Sequence, residues 1–250
     1  MKVVFLGTNG WYDTETGNTI SVLLQTAACD IIFDAGNGIA KMDRYRPPGD
    51  GRGCFLFLSH FHLDHIAGLH TIVKIPCGGG LTICGPEGTR GILGVILAQP
   101  FTIPAADLPY AVTILELPRE TAALPFVAEA RPLRHASLTL GYRVEVEGRV
   151  VAYCPDTGYC ENAVLLARGA DLLIAECAYP SGMGDESWPH LNPEEAARIA
   201  AEGDVKALAL VHFDAHQYPT LEDRLRAEAA ARRIFPGTVA ARDGMEIPIT

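Results

Sequence analysis

Apolar residues in this chain fall into short runs of strand length, and the first three are Val3 to Leu6, Ile20 to Gln25 and Asp30 to Asp34, with Thr16-Gly17-Asn18 as a turn ahead of the second. That pattern predicts an opening β-meander. Cys54 to Ser59 (CFLFLS) is apolar on both faces and predicts a fully buried strand, and Asp64 to Ile75 follows as a helix ended near Pro76 and Gly78-Gly79-Gly80. Next come a strand Leu81 to Cys84, a helix Glu87 to Leu97, and a proline-punctuated stretch from Pro100 to Pro125 around a strand Val112 to Leu117. The second half repeats the style, with strands Phe126 to Arg131, Leu140 to Glu147 and Val150 to Tyr153, a helix Asn162 to Arg168 and a strand Asp171 to Ala175. Glu147-Gly148 predicts a tight hairpin. Asn192 caps a helix that starts at Pro193 and ends near Gly203. Lys206 to Val211 then predicts a buried strand, Thr220 to Ile234 a charged amphipathic helix and Met245 to Ile249 a last strand. Two halves of strands plus helices, with no fixed-period repeat, predict an α/β fold in which helices pack outside a pair of sheets.

Composition narrows this further. With 250 residues, 48% of them hydrophobic and 20% charged, one sizeable core and a single domain over 1–250 are expected. The apolar run after Met1 is too short for a signal peptide, and no run approaches the roughly 18 apolar residues that span a bilayer. Seven dispersed cysteines, mostly in apolar segments and without a C-x-x-C pair, suit reduced buried thiols rather than a zinc knuckle, which predicts a cytoplasmic protein. A net charge of -10 works against an extended phosphate-backbone interface, so a long nucleic acid is a disfavoured partner.

The chemistry concentrates at His60-Phe61-His62-Leu63-Asp64-His65, between the buried strand and the predicted helix. Four ionisable groups packed against CFLFLS would be costly to desolvate without a purpose. Imidazole and carboxylate are the ligands zinc takes when thiolates are absent. His60 and His62, two apart, point the same way from a strand end, while Asp64 and His65 lie past the bend and face a second ion. The remaining ligands should come from other strand ends: His135, Asp156 and His212 each follow a predicted strand. A lone histidine is more often a core or surface group, and Asp before Thr-Gly is often only a turn former. Order and strand-end placement make ligands of all three, whereas His70 and His216 are assigned structural or supporting places. Loops at Asn9 to Thr16, Pro100 to Pro109 and Tyr179 to Trp188 are expected to rim the site, with Trp11, Tyr12, Phe101, Tyr179 and Trp188 available to stack on a base or to form oligomer contacts.

This set resembles the metallo-β-lactamase superfamily over nearly the whole chain, and within it the ribonuclease Z-like and phosphoribosyl cyclic phosphodiesterase-like branch. Further carriers are Phe5-Leu6-Gly7-Thr8, Phe33-Asp34-Ala35-Gly36-Asn37-Gly38, Ala175-Glu176-Cys177 and His190-Leu191-Asn192-Pro193-Glu194-Glu195-Ala196-Ala197. The resemblance implies a four-layer αββα sandwich holding two divalent metal ions at its sheet edges, zinc foremost, with manganese or iron open. One ion would take His60, His62 and His135, the other Asp64, His65 and His212, with Asp156 bridging. Glu176 and His190 match the family's pair of a Glu after a strand and a His opening a later helix.

Such a site suits phosphodiester hydrolysis, with Asp64 accepting the nucleophile's proton and His190, oriented by Glu176, stabilising the transition state or protonating the leaving oxygen. The transfer-RNA 3' processing members carry a long RNA-gripping arm between the third-motif histidine and the bridging aspartate. Here 20 residues separate His135 from Asp156, too few for it. His190-Leu191 also departs from the hydroxyl residue usual after that histidine. A small, cyclic phosphodiester is therefore the expected substrate. Hydrolysis of an ester, thioester, lactone or β-lactam, tRNA 3' processing with an exosite supplied otherwise, and a non-enzymatic metal-binding module stay open as alternatives, and so does a homodimer. A di-iron role would put an acid where His62 stands.

Overall fold

The computed structural model describes residues 1–47 and 49–250. Alternation explains the central layers. In Lys2–Gly7 every residue after Lys2 is buried, because Val3 and Phe5 enter the core between two sheets while Val4 and Leu6 enter a second core on the outer face. The first sheet has seven strands in the spatial order Glu246–Pro248, Lys2–Gly7, Ser21–Gln25, Cys29–Phe33, Gly53–Phe57, Leu81–Gly85 and Val112–Glu116. Its first pairings are antiparallel, which makes the expected meander, and those from Cys29–Phe33 onward are parallel. The second sheet orders Thr238–Ala240, Leu208–Val211, Leu172–Glu176, Arg149–Cys154, Leu140–Val146 and Val127–Pro132. Glu147 and Gly148 both take positive φ (54° and 71°) in the predicted hairpin.

Phe33, Phe57, Tyr142 and Tyr153 meet between the sheets, with the rings of Phe33 and Tyr153 stacked 5.0 Å apart. Outside the second sheet lie the helices Glu161–Ala167, Pro193–Glu202 and Leu221–Arg232; outside the first lie Thr89–Ile96 and two 3-10 segments, Asn37–Arg44 and Ala67–Lys74. The architecture is the four-layer αββα sandwich that the resemblance implies. Asn192 and Glu195 form a reciprocal capping box at the start of their helix, as the sequence predicts for that cap. All seven cysteines are free, six of them buried. Among the described residues no helix is long and apolar enough to cross a membrane.

Four local expectations need correction. The helix predicted from Asp64 to Ile75 is an α-turn of four residues, Leu63–Ile66, continued by the 3-10 segment. The His65 carbonyl accepts from Ala35 N, and Gly68 N donates to the Ala35 carbonyl, so two groups an α-helix would use internally are spent on a neighbouring loop. Leu221–Arg232 is less amphipathic than predicted: it buries Arg224, Ala227, Ala230 and Ala231 and leaves Leu221 and Leu225 exposed. The Pro100 to Pro109 loop packs Leu108 and Ile103 into the outer core of the first sheet. Thr238–Ala240, three residues long, has no counterpart among the predicted strands.

Candidate metal centre

The strand Gly53–Phe57 ends just before Ser59-His60, and the following turn delivers His62, Asp64 and His65 to the same edge. From the second sheet, His135 follows Val127–Pro132, Asp156 follows Arg149–Cys154 and His212 follows Leu208–Val211. His212 has a positive φ (53°), and a Cβ at Gly10 would collide with its ring. Glycine at position 10 is what lets the short parallel pair Asn9–Gly10 and Phe213–Asp214 close over this edge.

Seven side chains converge in two groups. His60, His62, His135 and Asp156 offer one ligand atom each within 4.8 Å of one another, as do Asp64, His65 and His212. Asp156 faces both: Oδ1 lies 3.1 Å from His65 Nε2 and 3.2 Å from His212 Nε2, whereas Oδ2 lies 3.8 Å from His60 Nε2 and 3.9 Å from His135 Nε2. His60 Nε2, His135 Nε2 and Asp156 Oδ1 are buried without a hydrogen-bond partner. Orphaned buried donors and acceptors aimed at common points are what divalent cations satisfy. The residues present therefore fit a pair of metal ions.

Three of the cluster's imidazoles are already held through the other ring nitrogen. His65 Nδ1 donates to Asp34 Oδ2 (2.8 Å), His60 Nδ1 meets Ser59 Oγ (3.0 Å), and His135 Nδ1 faces the Pro189 carbonyl (3.3 Å). These contacts turn the three Nε2 atoms inward. Burial holds His60, His62 and His135 below the usual imidazole pKa. Burial would raise Asp64 and Asp156, but His65 and His212 override it and keep both carboxyls ionised. Burial would lower His65 and His212, but Asp156 and Asp64 raise both above the usual imidazole pKa, so these two release a proton when an ion binds, whereas His60, His62, His135 and the two carboxyls are already in the metal-binding form.

Beside the cluster, His190 Nδ1 lies 2.7 Å from Glu176 Oε1. That carboxylate is fully buried and also accepts from Thr157 N (2.7 Å) and Ala178 N (3.0 Å). Burial would lower the His190 pKa, but the Glu176 charge raises it to about 9. The ring of His190 packs 5.1 Å from His135 and 5.9 Å from His212. The cluster opens into a cavity of about 780 Å³ whose wall includes Trp11, Phe61, Tyr179, Trp188 and His190.

Two expectations do not hold at the site. Tyr12 and Phe101 are absent from the cavity wall. The Pro100 to Pro109 loop does not rim the site, because it is packed against the first sheet's outer layer, where the Tyr110 hydroxyl donates to the Ile72 carbonyl. His70 and His216 are exposed and stand outside both ligand groups, and His70 Nδ1 meets the Ala67 carbonyl (2.6 Å) of its own segment. Conversely, Asp34, Ser59 and Tyr153, which hold the ligands from behind, were not assigned roles from the sequence. The signals for Asp34 are an acid at the end of the wholly apolar run Ile31-Ile32-Phe33 and its place in the motif Phe33 to Gly38 that carries the family resemblance.

A family profile described as the beta-lactamase superfamily domain matches residues 30–213. The whole chain is 28% identical to ribonuclease Z of Synechococcus sp. (strain CC9311) and covers 99% of that protein. Their alignment runs over 313 positions against 250 residues here, so the relative carries segments this chain lacks. The metallo-β-lactamase fold protein YhfI of Bacillus subtilis superposes with a TM-score of 0.80 at 23% identity over 99% of each chain. The short form of human tRNase Z superposes with a TM-score of 0.75 at 24% identity over 100% of each.

Proposed function

The chain belongs to the β-lactamase superfamily and is a metal-dependent hydrolase of that fold; from that premise we propose that it is a phosphodiesterase acting on a small, cyclic phosphodiester. His60, His62 and His135 would hold one divalent ion and Asp64, His65 and His212 the other, with Asp156 between them and zinc the ion its ligand set suits best. When bound, such a pair supplies Lewis acidity toward phosphoryl oxygens and acidifies water.

The remaining roles belong to the protein. Asp64 lines the cavity, and its Oδ2 takes the Trp11 N–H (2.7 Å), which leaves Oδ1 to accept a proton from the nucleophile. His190, held protonated by Glu176, places an Nε2–H toward the reacting centre, where it can donate to a phosphoryl oxygen or to the leaving oxygen. The Glu176–His190 pair carries the phosphodiester reading, because ester, thioester and lactone hydrolysis do not require it.

The experiment is hydrolysis of bis(p-nitrophenyl) phosphate beside a lactone and a thioester, with metal-loaded wild type and His190→Ala. Diester turnover should fall about 10²-fold or more in the variant at unchanged metal content. Lactone or thioester turnover that ignores the substitution would overturn the assignment. A second reading, tRNA 3' processing, is favoured by the full-length likeness to ribonuclease Z. Against it stands the hairpin of Leu140–Val146 and Arg149–Cys154, which fills the interval from His135 to Asp156 and leaves no room for an RNA-binding arm. Incubation with a 3'-extended tRNA precursor should therefore yield no cleavage.

A further inference from the structure

We propose that Trp11 and Trp188 form a stacking site for a nucleobase, so that the small diester is a nucleoside cyclic monophosphate; this rests on the phosphodiesterase reading above. The chain has two tryptophans. Both stand on the wall of the cavity that opens onto the histidine cluster, and both are exposed, at 66% and 47%. Large rings left in water beside a reaction site are suited to a planar partner.

Each ring is delivered by a loop that is held in place. Trp11 adopts a left-handed backbone (φ 71°), an uncommon conformation for a bulky residue, with its N–H fixed on Asp64 Oδ2. Behind it, the buried Arg224 guanidinium donates to Thr8, Asn9 and Thr16 at the root of the same loop. The Trp188 ring lies parallel to His62 (7°, centroids 5.7 Å) and edge-on to His135 (5.5 Å). Its carbonyl accepts from the Tyr179 hydroxyl (2.8 Å), and the Tyr179 carbonyl accepts from Tyr218 (2.7 Å). A platform in contact with two candidate ligands can only reach a ring joined to the reacting phosphate through a few bonds.

Charge selects among aromatic substrates. The segments 9–19 and 179–190 contain Asp13, Glu15, Asp185 and Glu186 and no lysine or arginine. Arg134 pairs with Glu186 and does not line the cavity, whose wall, apart from the candidate metal ligands Asp64 and Asp156, adds Asp214 and, among the described residues, no Lys or Arg side chain. An acidic mouth repels polynucleotides and nucleoside polyphosphates. It admits a ligand with one negative charge at the diester and an uncharged ring beyond it.

Adenosine 2',3'-cyclic monophosphate and the base-free glycerol 1,2-cyclic phosphate separate the contributions. In the metal-loaded enzyme, Trp11→Ala and Trp188→Leu should each lower the preference for the adenosine diester roughly 5- to 150-fold, expressed in KM. Trp11→Ala keeps the test decisive should Trp188→Leu, beside His62, lose metal. Independently of turnover, the adenosine diester should quench the indole emission of the metal-loaded His190→Ala variant, in which hydrolysis is slowed, and the glycerol diester should not, since no other tryptophan contributes. Unchanged preference in Trp11→Ala, or absent quenching, overturns the stacking site even if both diesters are hydrolysed. Quenching without hydrolysis of either diester supports the site and instead removes the phosphodiesterase reading beneath it.

Discussion

The Tyr153 hydroxyl donates to Asp34 Oδ2 over 2.7 Å and so joins the two sheets directly beneath the histidine cluster. The same oxygen receives His65 Nδ1 and Ser59 Oγ (2.8 Å each), and Oδ1 receives Ser59 N (2.7 Å). One buried carboxylate thus fixes a candidate ligand and the sandwich at once. Asp34→Asn keeps the backbone, since asparagine also accepts the positive φ found here (58°). It should weaken metal binding about 10- to 100-fold in a chelator competition. Tyr153→Phe should cost roughly 1.5–3 kcal/mol in denaturant unfolding. Unaltered metal affinity in Asp34→Asn would show that His65 needs no such support.

Metal stoichiometry tests the two-group geometry. Elemental analysis of wild type should give two equivalents per chain, and His212→Ala, which takes one member from the second group, should leave about one. Dialysis against a chelator should abolish hydrolysis and lower the melting temperature, because ions that bind only the folded state stabilise it. A single equivalent in wild type would rule out the dinuclear arrangement.

The Glu176–His190 pair predicts a pH-dependent stability with a definite sign. The folded pKa of His190, about 9, exceeds the roughly 6.5 of an unfolded histidine. Its contribution is therefore complete below pH 6.5 and lost as pH rises through about 9. In metal-free protein the stability gap between wild type and Glu176→Gln should shrink across that window by roughly 3 kcal/mol. A gap that stays constant from pH 6 to 10 would mean that the pair is not an ion pair.

Arg224, buried on Leu221–Arg232, reaches through the interior to Thr8, Asn9 and Thr16, and its guanidinium lies 4.7 Å over the Phe213 ring. Arg224→Met keeps much of the volume but strands these acceptors. Unfolding free energy should drop by about 2–4 kcal/mol. Emission from Trp11 should shift as its loop loosens, most clearly in a Trp188→Phe background. A stability change without any spectral change would confine Arg224 to a packing role.

Much of the site was legible because its parts are local. His60 to His65 stand within six residues, at the end of a strand whose apolar pattern is unmistakable, and Asn192 with Glu195 spells out its own helix cap. His135, Asp156 and His212 could be picked out only by their order and strand-end placement, and the structure brings all three to the cluster. The aromatic rim was half legible: Trp11, Tyr179 and Trp188 line the cavity, Tyr12 and Phe101 do not. Nothing local distinguishes Phe101 from Trp11, since both are exposed loop aromatics; what separates them is the burial of Leu108 and Ile103, which draws their loop to the far face.

By itself the sequence determined the alternation that makes two sheets, the identity and order of the convergent histidines and carboxylates, and the absence of space for an arm between His135 and Asp156. Only the tertiary structure decided that the helix after the motif stops at Ile66, that Asp34 stands behind His65, and that Trp188 covers His62. The physical reason is one of range. Periodicity and capping depend on hydrogen bonds and burial within a few residues, whereas Ala35 competing for the groups of His65 and Gly68, or Tyr153 reaching Asp34, depends on how two packed sheets bring distant segments together.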